Sequence, residues 1–262
     1  MDQQLAKRML LWLIAIIAVV SIAQVPAISQ AAEYHHFADE RSLFGIPNFG
    51  NVFSNFPFFV IGLWGMVYVQ KHRTQLGAFY LGALTFSVGV FLVSLGSGYY
   101  HWQPSNQTLL WDRLPMTIGF MGLYALIVSA FVKAESGVKL LPWLVTAGII
   151  SVFYWYATES LGQGDLRWYA LVQFLPMILT LAILLMFKVE GLERRSLVMV
   201  LCWYGLAKIL EMTDLFLLDM TKVVSGHSLK HVAAAIACYY VIRWLKSIVN
   251  FQSRSALDDA VS

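Results

Sequence analysis

Seven long apolar runs limit this chain to one kind of fold. They follow residue 50 with only short polar breaks, at about residues 51–70, 77–100, 113–132, 138–157, 168–187, 196–218 and 224–245. Each is roughly 20 residues long, which as an α-helix covers the ~30 Å hydrocarbon core of a bilayer. The runs do not alternate as the strands of a membrane barrel do. The sequence therefore predicts an all-α membrane protein, a bundle of seven transmembrane helices.

The composition agrees with a membrane location. Hydrophobic residues make up 59% of the 262 residues and charged residues 13%, whereas soluble domains carry about 25% charge. No Gly/Ser-rich or Pro-rich linker divides the chain, so we expect one membrane domain at 51–247 and a tail at 248–262. The net charge of +3 gives no indication of nucleic-acid binding, and the two cysteines form no disulfide framework.

The first 32 residues add an eighth hydrophobic segment. Lys7 and Arg8 precede an apolar stretch from Met9 to Ala23, and small residues follow up to Ala31. The segment 1–32 is either a signal peptide or an uncleaved signal-anchor helix.

A polar segment, residues 33–50, precedes the first of the seven runs. It contains Gly and Pro together with His35, His36, Asp39 and Glu40. We expect an outer loop here. It is either a solvated loop or a lid, or a loop for a second ion, over a functional site.

Basic residues set the expected orientation. With the N-terminus inside, most of the 18 Lys and Arg residues fall on the inner side, as the positive-inside rule requires. These inner residues are Lys7, Arg8, Lys71, Arg73, Lys133, Lys139, Lys188, Arg194, Arg195, Arg243, Lys246 and Arg254. The C-terminal tail is then cytoplasmic. A signal peptide and short loops indicate a bacterial inner membrane, with the outer side periplasmic.

Five polar residues fall at the outer ends of three runs. Ser97 and His101 are four apart at the end of run 77–100, and Asp112 directly precedes the next run. His227 and His231, again four apart, open the last run. Residues at i and i+4 share a helix face. Because the topology gives all five the same depth on the same side, we expect them to lie together.

These residue types are typical of a catalytic zinc site, which has three protein ligands and an open position. The His227/His231 pair supplies two ligands from one helix, and His101 could supply the third. Zinc lowers the pKa of its bound water to about 7, which makes the water a nucleophile. HSLKH has no Glu between its histidines, so Asp112 is the nearest candidate base. Ser97 could offer a hydroxyl to an oxyanion or to the water.

Each of these residues also has a plainer explanation. Asp112 could be the N-cap of a helix that starts at Leu114, and Pro115 fits the first turn of such a helix. Ser97 could be a helix-packing serine. The recurrence of Gly82, Gly89 and Gly96 every seven residues favours close helix packing.

Run 196–218 contains a polar stripe of Lys208, Glu211 and Asp214, whose role has two alternatives. Glu211 and Asp214 are either hydrogen-bond partners of the histidine ligands or members of a structural ion pair with Lys208 or Lys230. Asn55, in the sequence NVFSN, either hydrogen-bonds near the site or caps a helix.

Four motifs together resemble the alkaline ceramidases, which belong to a wider group of seven-helix membrane hydrolases that includes the progestin and adipoQ receptors. The motifs are NVFSN at 51–55, SGYYH at 97–101, WDRLPM at 111–116 and HSLKH at 227–231. Their order and spacing match, and the resemblance covers about residues 33–247.

The resemblance implies a zinc-dependent amidase of sphingolipid metabolism that cuts the N-acyl bond of ceramide. It implies that His101, His227 and His231 are the zinc ligands. By the same resemblance Asp112 is the acid/base residue, and Ser97 assists the oxyanion or the bound water. The expected partners are membrane lipids and a substrate with an N-acyl chain.

The chain departs from the family in its first polar segment. Where alkaline ceramidases have an acidic calcium-binding segment, this chain is acidic only at Asp39 and Glu40. Tyr34, Phe37 and Asn48 stand at the other carboxylate positions, so calcium binding is doubtful. Because ceramide is not assured in a bacterial inner membrane, the substrate could be another N-acylated lipid.

Two other classes of function stay open. One is a receptor-like, lipid-binding membrane protein in which a four-ligand zinc is structural. The other is a membrane scaffold without metal, whose histidines are satisfied by Glu211, Asp214 or backbone groups. The sequence does not determine the oligomeric state.

Overall fold

The computed structural model describes residues 2–261, with side chains through residue 253. These residues form eleven α-helices, namely α1 (Gln3–Gln24), α2 (Phe49–Phe53), α3 (Phe56–Lys71), α4 (Arg73–Leu76), α5 (Tyr80–Trp102), α6 (Asn106–Phe131), α7 (Ala134–Ser160), α8 (Arg167–Met186), α9 (Arg195–Met212), α10 (Asp214–Thr221) and α11 (Gly226–Val261). No β-strand occurs in this described part, and Leu43 and Ile46 form an isolated antiparallel bridge.

The prediction of an all-α membrane protein is confirmed. In the described part of the chain, seven helical stretches are long and apolar enough to cross a membrane. They are α1, α2 with α3, α4 with α5, α6, α7, α8 and α11. The bent pair α9–α10 makes an eighth if it is counted as one span. With that pair counted as one span, seven spans follow α1, as the sequence predicts.

The predicted run 196–218 is not one straight helix. It breaks at Thr213, where α9 and α10 meet at 78°. The Thr213 hydroxyl donates to the Ile209 carbonyl at 2.9 Å, a bond back into the preceding turn of the kind that bends helices. Apolar content alone does not carry this signal.

Two helix ends also differ from the predicted runs. The helix predicted from 113 begins at Asn106, so Asp112 lies inside α6 and its interpretation as an N-cap is wrong. Helix α11 continues through Val261, across the predicted tail at 248–262, because no Gly or Pro interrupts that stretch. The side chain of Arg254 and the whole of Ser262 lie outside the described residues.

The chain forms two compact units, which we describe separately. The first comprises residues 1–31, 78–86 and 117–190, and the second comprises residues 32–77, 87–116 and 191–262. All the candidate site residues named above belong to the second unit.

In the first unit, α1 packs against α8. Arg167, at the start of α8, donates to the carbonyl oxygen of Val25 just after α1. Arg167 also pairs with Asp165 at 2.8 Å and thereby holds the pKa of that carboxyl below its ordinary value. The N–H of Leu166 donates to the Ile28 carbonyl at 2.8 Å. The N-terminal segment is thus held to the start of α8 by side-chain and backbone bonds.

In the second unit, α11 packs against α9, α3, α2 and α10. Glycines allow close helix contact near the candidate site. A Cβ on Gly96 would overlap the carbonyl oxygen of Trp111, and a Cβ on Gly62 would overlap the backbone of Phe91. The predicted packing role of Gly96 is confirmed, and in the first unit Gly82 plays the same part beside Leu126.

Candidate metal centre

Three buried histidines converge in the second unit. His101 lies in the last turn of α5, and His227 and His231 lie in the first two turns of α11. Their exposed fractions are 1%, 7% and 6%. Each offers a ring nitrogen, and the three nitrogens lie within 4.8 Å of one another. The predicted grouping of the three histidines is therefore observed.

One nitrogen–nitrogen distance in this cluster matches that between two ligands of a metal ion. The Nε2 atoms of His101 and His227 are 3.3 Å apart. For Zn–N bonds of 2.0–2.1 Å, neighbouring ligand nitrogens of a tetrahedral zinc lie about 3.3 Å apart. Three imidazoles are a donor set suited to zinc and similar transition metals. Within the described residues, the cluster that could hold a metal ion consists of these three histidines.

The ring of His231 has a side-chain neighbour in Ser54. The Ser54 hydroxyl donates its single proton to the Asn51 carbonyl at 3.0 Å. The hydroxyl oxygen also lies 2.8 Å from Nδ1 of His231, within reach to accept from a protonated Nδ1. With the proton on Nδ1, Nε2 keeps its lone pair for a metal. Such a bond to the remote nitrogen is a regular feature of histidine ligands.

The asparagines of NVFSN hold this end of α2 to α11. Asn51 is fully buried, and its side-chain oxygen accepts from the Ser228 hydroxyl at 2.8 Å. The Asn55 side chain donates to the Asn51 carbonyl at 2.8 Å and makes no capping hydrogen bond. Asn55 does stand at the N-cap position of α3, but its side chain bonds instead to the backbone carbonyl that also accepts from Ser54.

Asp214 fixes the backbone at the start of α11. Its Oδ1 accepts from the His227 N–H at 2.7 Å, and its Oδ2 accepts from the Ala38 N–H at 3.1 Å. A Cβ on Gly226 would overlap the Leu210 carbonyl oxygen, so the glycine permits this close approach. Of the two alternatives for Asp214, the structure favours the support of a histidine over an ion pair.

Glu211, in contrast, forms ion pairs with lysines. It accepts from Lys208 at 2.8 Å and from Lys230 at 2.6 Å. Lys230 lies between the two histidines of HSLKH and exposes 15% of its side chain. Buried charges need such partners, so Glu211 neutralises the lysine that α11 brings next to His231.

Ser97 and Asp112 are buried, with exposed fractions of 3% and 9%, and their side chains hydrogen-bond to each other. Gly96 allows this contact because it admits the backbone of α6 at Trp111. Ser105 caps α6, the helix that carries Asp112, by accepting from the Thr108 N–H at 3.1 Å. Ser97 is one turn from His101 on α5.

The segment 33–48 covers the histidines. The buried ring of Phe37 has its centroid 4.7 Å from that of His101 and 4.8 Å from that of His227. The Asn48 side chain donates to the His101 carbonyl at 2.8 Å. His35 lies 3.1 Å from the Tyr100 hydroxyl, whereas His36 is exposed. These contacts favour the lid over the solvated loop.

Asp39 forms an ion pair with Arg41. Its two carboxylate oxygens accept from Arg41 at 2.7 Å and 2.8 Å, and these bonds hold its pKa below the ordinary value. Arg41 also donates to the Val223 carbonyl at 2.6 Å. The segment 33–48 is thereby tied to the turn before α11. Glu40 is exposed and lies 3.9 Å from His36.

Sequence reasoning missed two residues. Ser54 stands inside the NVFSN motif, and its place between the two asparagines was the available signal. Phe37 is one of several aromatic residues in segment 33–50, and no spacing rule relates it to histidines so distant in sequence.

One of the comparisons with known proteins gives a match. The protein-family model described as Ceramidase matches residues 45–260, which include all three histidines, Ser97 and Asp112. No curated protein and no solved structure matches significantly. The match covers more than half of the chain and every motif that carries the candidate site. The chain therefore belongs to the ceramidase family.

Proposed function

We propose that this protein is a zinc-dependent membrane amidase that hydrolyses the N-acyl bond of ceramide or of a similar N-acyl lipid. The observation that carries the proposal is the convergence of His101, His227 and His231. Ser97, one helical turn from His101 on α5, hydrogen-bonds to Asp112. Membership of the ceramidase family supports an amide-hydrolysing membrane enzyme.

The three histidines would hold the zinc ion, which when bound supplies Lewis-acid chemistry for amide hydrolysis. In the reaction the oxygen of water bonds to the acyl carbon and the C–N bond breaks. Asp112 takes a proton from the water and returns it to the leaving nitrogen. The products are a fatty acid and an amine, which for ceramide is the sphingoid base.

Ser97 has a narrower role in this proposal. Its hydroxyl hydrogen-bonds the Asp112 carboxyl and orients it toward the reacting water. As the substrate carbonyl gains negative charge, the same hydroxyl can turn to donate to its oxygen.

The number of protein ligands argues against a purely structural zinc. Structural zinc sites are closed by four protein ligands, whereas the cluster found in the described residues contains three. A site buried at the ends of membrane-spanning helices also suits a lipid that enters sideways from the bilayer. By the positive-inside rule we place this end of the helices on the outer, periplasmic side and the C-terminus in the cytoplasm.

The test combines metal content with hydrolysis by the detergent-purified full chain. We expect about one zinc per chain and release of fatty acid from an N-acyl lipid panel that includes ceramide. The double variant His227→Ala/His231→Ala should lose both. Asp112→Asn should keep the metal and lose hydrolysis by about 100-fold or more.

His72→Ala is the matched control, because the His72 ring bonds to the Tyr68 carbonyl at 2.9 Å, at the C-terminal end of α3. It should keep both metal and activity. Hydrolysis by the metal-free double variant, or a folded, zinc-loaded wild type that cleaves no N-acyl lipid, would refute the proposal.

A further inference from the structure

An exposed aromatic residue stands at the tip of the segment that covers the histidines. Leu43 and Ile46 exchange backbone hydrogen bonds of 3.1 Å and 3.0 Å, which close a tight turn. Phe44, inside that turn, has a φ of +54° and is 85% exposed. A bulky residue rarely adopts this left-handed conformation. The turn therefore presents a large apolar ring in a position that neither the backbone nor water favours.

The Phe44 ring begins a continuous row of phenylalanines. Its centroid is 5.9 Å from that of Phe49, and further ring contacts at 5.2–6.1 Å extend the row through Phe53, Phe56, Phe59 and Phe91. Phe53 and Phe56 are 61% and 55% exposed. The row runs from the turn along α2 and α3, which form one candidate membrane span.

At its start, the same span buries polar residues. Asn51 and Asn55 are 0% and 1% exposed, while Phe53 and Phe56 point outward. A helix in water turns its apolar face inward, so this inverted arrangement indicates that the phenylalanine face meets lipid. The row gives Phe44 an unbroken apolar connection to that lipid-facing surface.

We propose that the turn 43–46 is a membrane anchor, with Phe44 and Leu43 inserted into the lipid leaflet at the histidine end of the helices. The occupant of this surface is the bilayer itself. Continuity with the lipid-facing side of α2 and α3 carries the assignment, and Leu43, which is 48% exposed, adds apolar area beside Phe44. Aromatic residues are enriched at this level of a bilayer.

The anchor has a consequence for the site. The same segment places Phe37 against two of the histidines and Asn48 on the His101 backbone. A turn held in the leaflet therefore fixes the lid at the membrane surface, where a lipid headgroup would arrive.

Site-directed spin labelling tests the anchor without any assay of activity. In a Cys202→Ala/Cys238→Ala background, nitroxides are placed at Phe44→Cys, at Phe53→Cys as the lipid-facing reference, and at Glu40→Cys as the aqueous control. Glu40 lies in the same segment, and its side chain is 62% exposed. The labelled full chain is reconstituted in phosphatidylcholine/phosphatidylglycerol vesicles, and collisions with oxygen and with a water-soluble nickel chelate are compared.

We expect the label at 44 to resemble the label at 53, with oxygen favoured over nickel, and the label at 40 to show the reverse. Leu43→Cys is a second probe of the same turn and should behave as Phe44→Cys does. Nickel access at 44 equal to that at 40 would overturn the proposal. So would shielding of 44 from both reagents, which would place a second copy or another protein on the turn.

Discussion

At the scale of single residues, the candidate site depends on side chains other than the three histidines. Ser54 contacts Nδ1 of His231, Asp214 holds the His227 backbone and Asn51 connects α2 to Ser228. These partners come from two places in the fold, α2 with its C-terminal cap and the start of α10. The proposed ligands are therefore held by other parts of the chain, which would favour affinity for a metal because little order must be gained on binding.

The Ser54–His231 bond gives the first prediction. Ser54→Ala removes the acceptor for Nδ1 of His231, which leaves that nitrogen unpartnered and lets the ring turn. We expect metal affinity to fall about 10- to 100-fold, as it does when such partners are lost. Competition with a zinc chelator measures the affinity directly.

Ser54→Thr is the control for that measurement, because it keeps a hydroxyl at the same position. It should retain most of the affinity. Equal zinc affinity in Ser54→Ala and the wild type would mean that the bond does not orient the ligand.

At the scale of helices, the contact between α5 and α6 sets the position of Asp112 relative to Ser97. Gly96→Ala would push a methyl group into the Trp111 carbonyl oxygen and separate the two helices. We expect a loss of stability of about 1–3 kcal/mol together with reduced hydrolysis. Thermal unfolding in detergent and turnover of an N-acyl lipid are the measurements.

Gly98 provides a matched control two residues along the same helix. A Cβ at Gly98 meets nothing within 4 Å, so Gly98→Ala should be neutral or stabilising by up to about 1 kcal/mol through its better helix propensity. Similar losses in both variants would show that helix propensity or general intolerance, and not the contact with Trp111, decides the result.

The spacing of the polar residues made much of the site predictable. Helices of period 3.6 put Ser97 beside His101 and His227 beside His231, and a membrane fixes which helix ends share a side. The bend at Thr213 and the start of α6 at Asn106 were not predictable in this way, because they depend on hydrogen bonds to particular side chains. The contact of Phe37 with His101 and His227 joins residues far apart in the chain, so no periodic pattern in the sequence predicts it.

At the scale of the whole molecule, the orientation in the membrane is the remaining prediction. The excess of Lys and Arg in alternate loops predicts that segment 33–50 lies outside and that the loop between α8 and α9 lies inside. Glu40 and Glu190, in these two segments, are both exposed. Their replacement by cysteine leaves every positive charge in place, so the substitutions do not disturb the charges that set the topology.

In intact bacteria that express the chain in a Cys202→Ala/Cys238→Ala background, a membrane-impermeant maleimide should label Glu40→Cys. It should label Glu190→Cys only after the inner membrane is permeabilised. The reverse pattern would place the lid and the histidine end of α5 and α11 in the cytoplasm, and the substrate lipid would then have to come from the inner leaflet. Labelling at both positions in intact cells would indicate a mixed orientation, and the charge asymmetry would then be too weak to fix it.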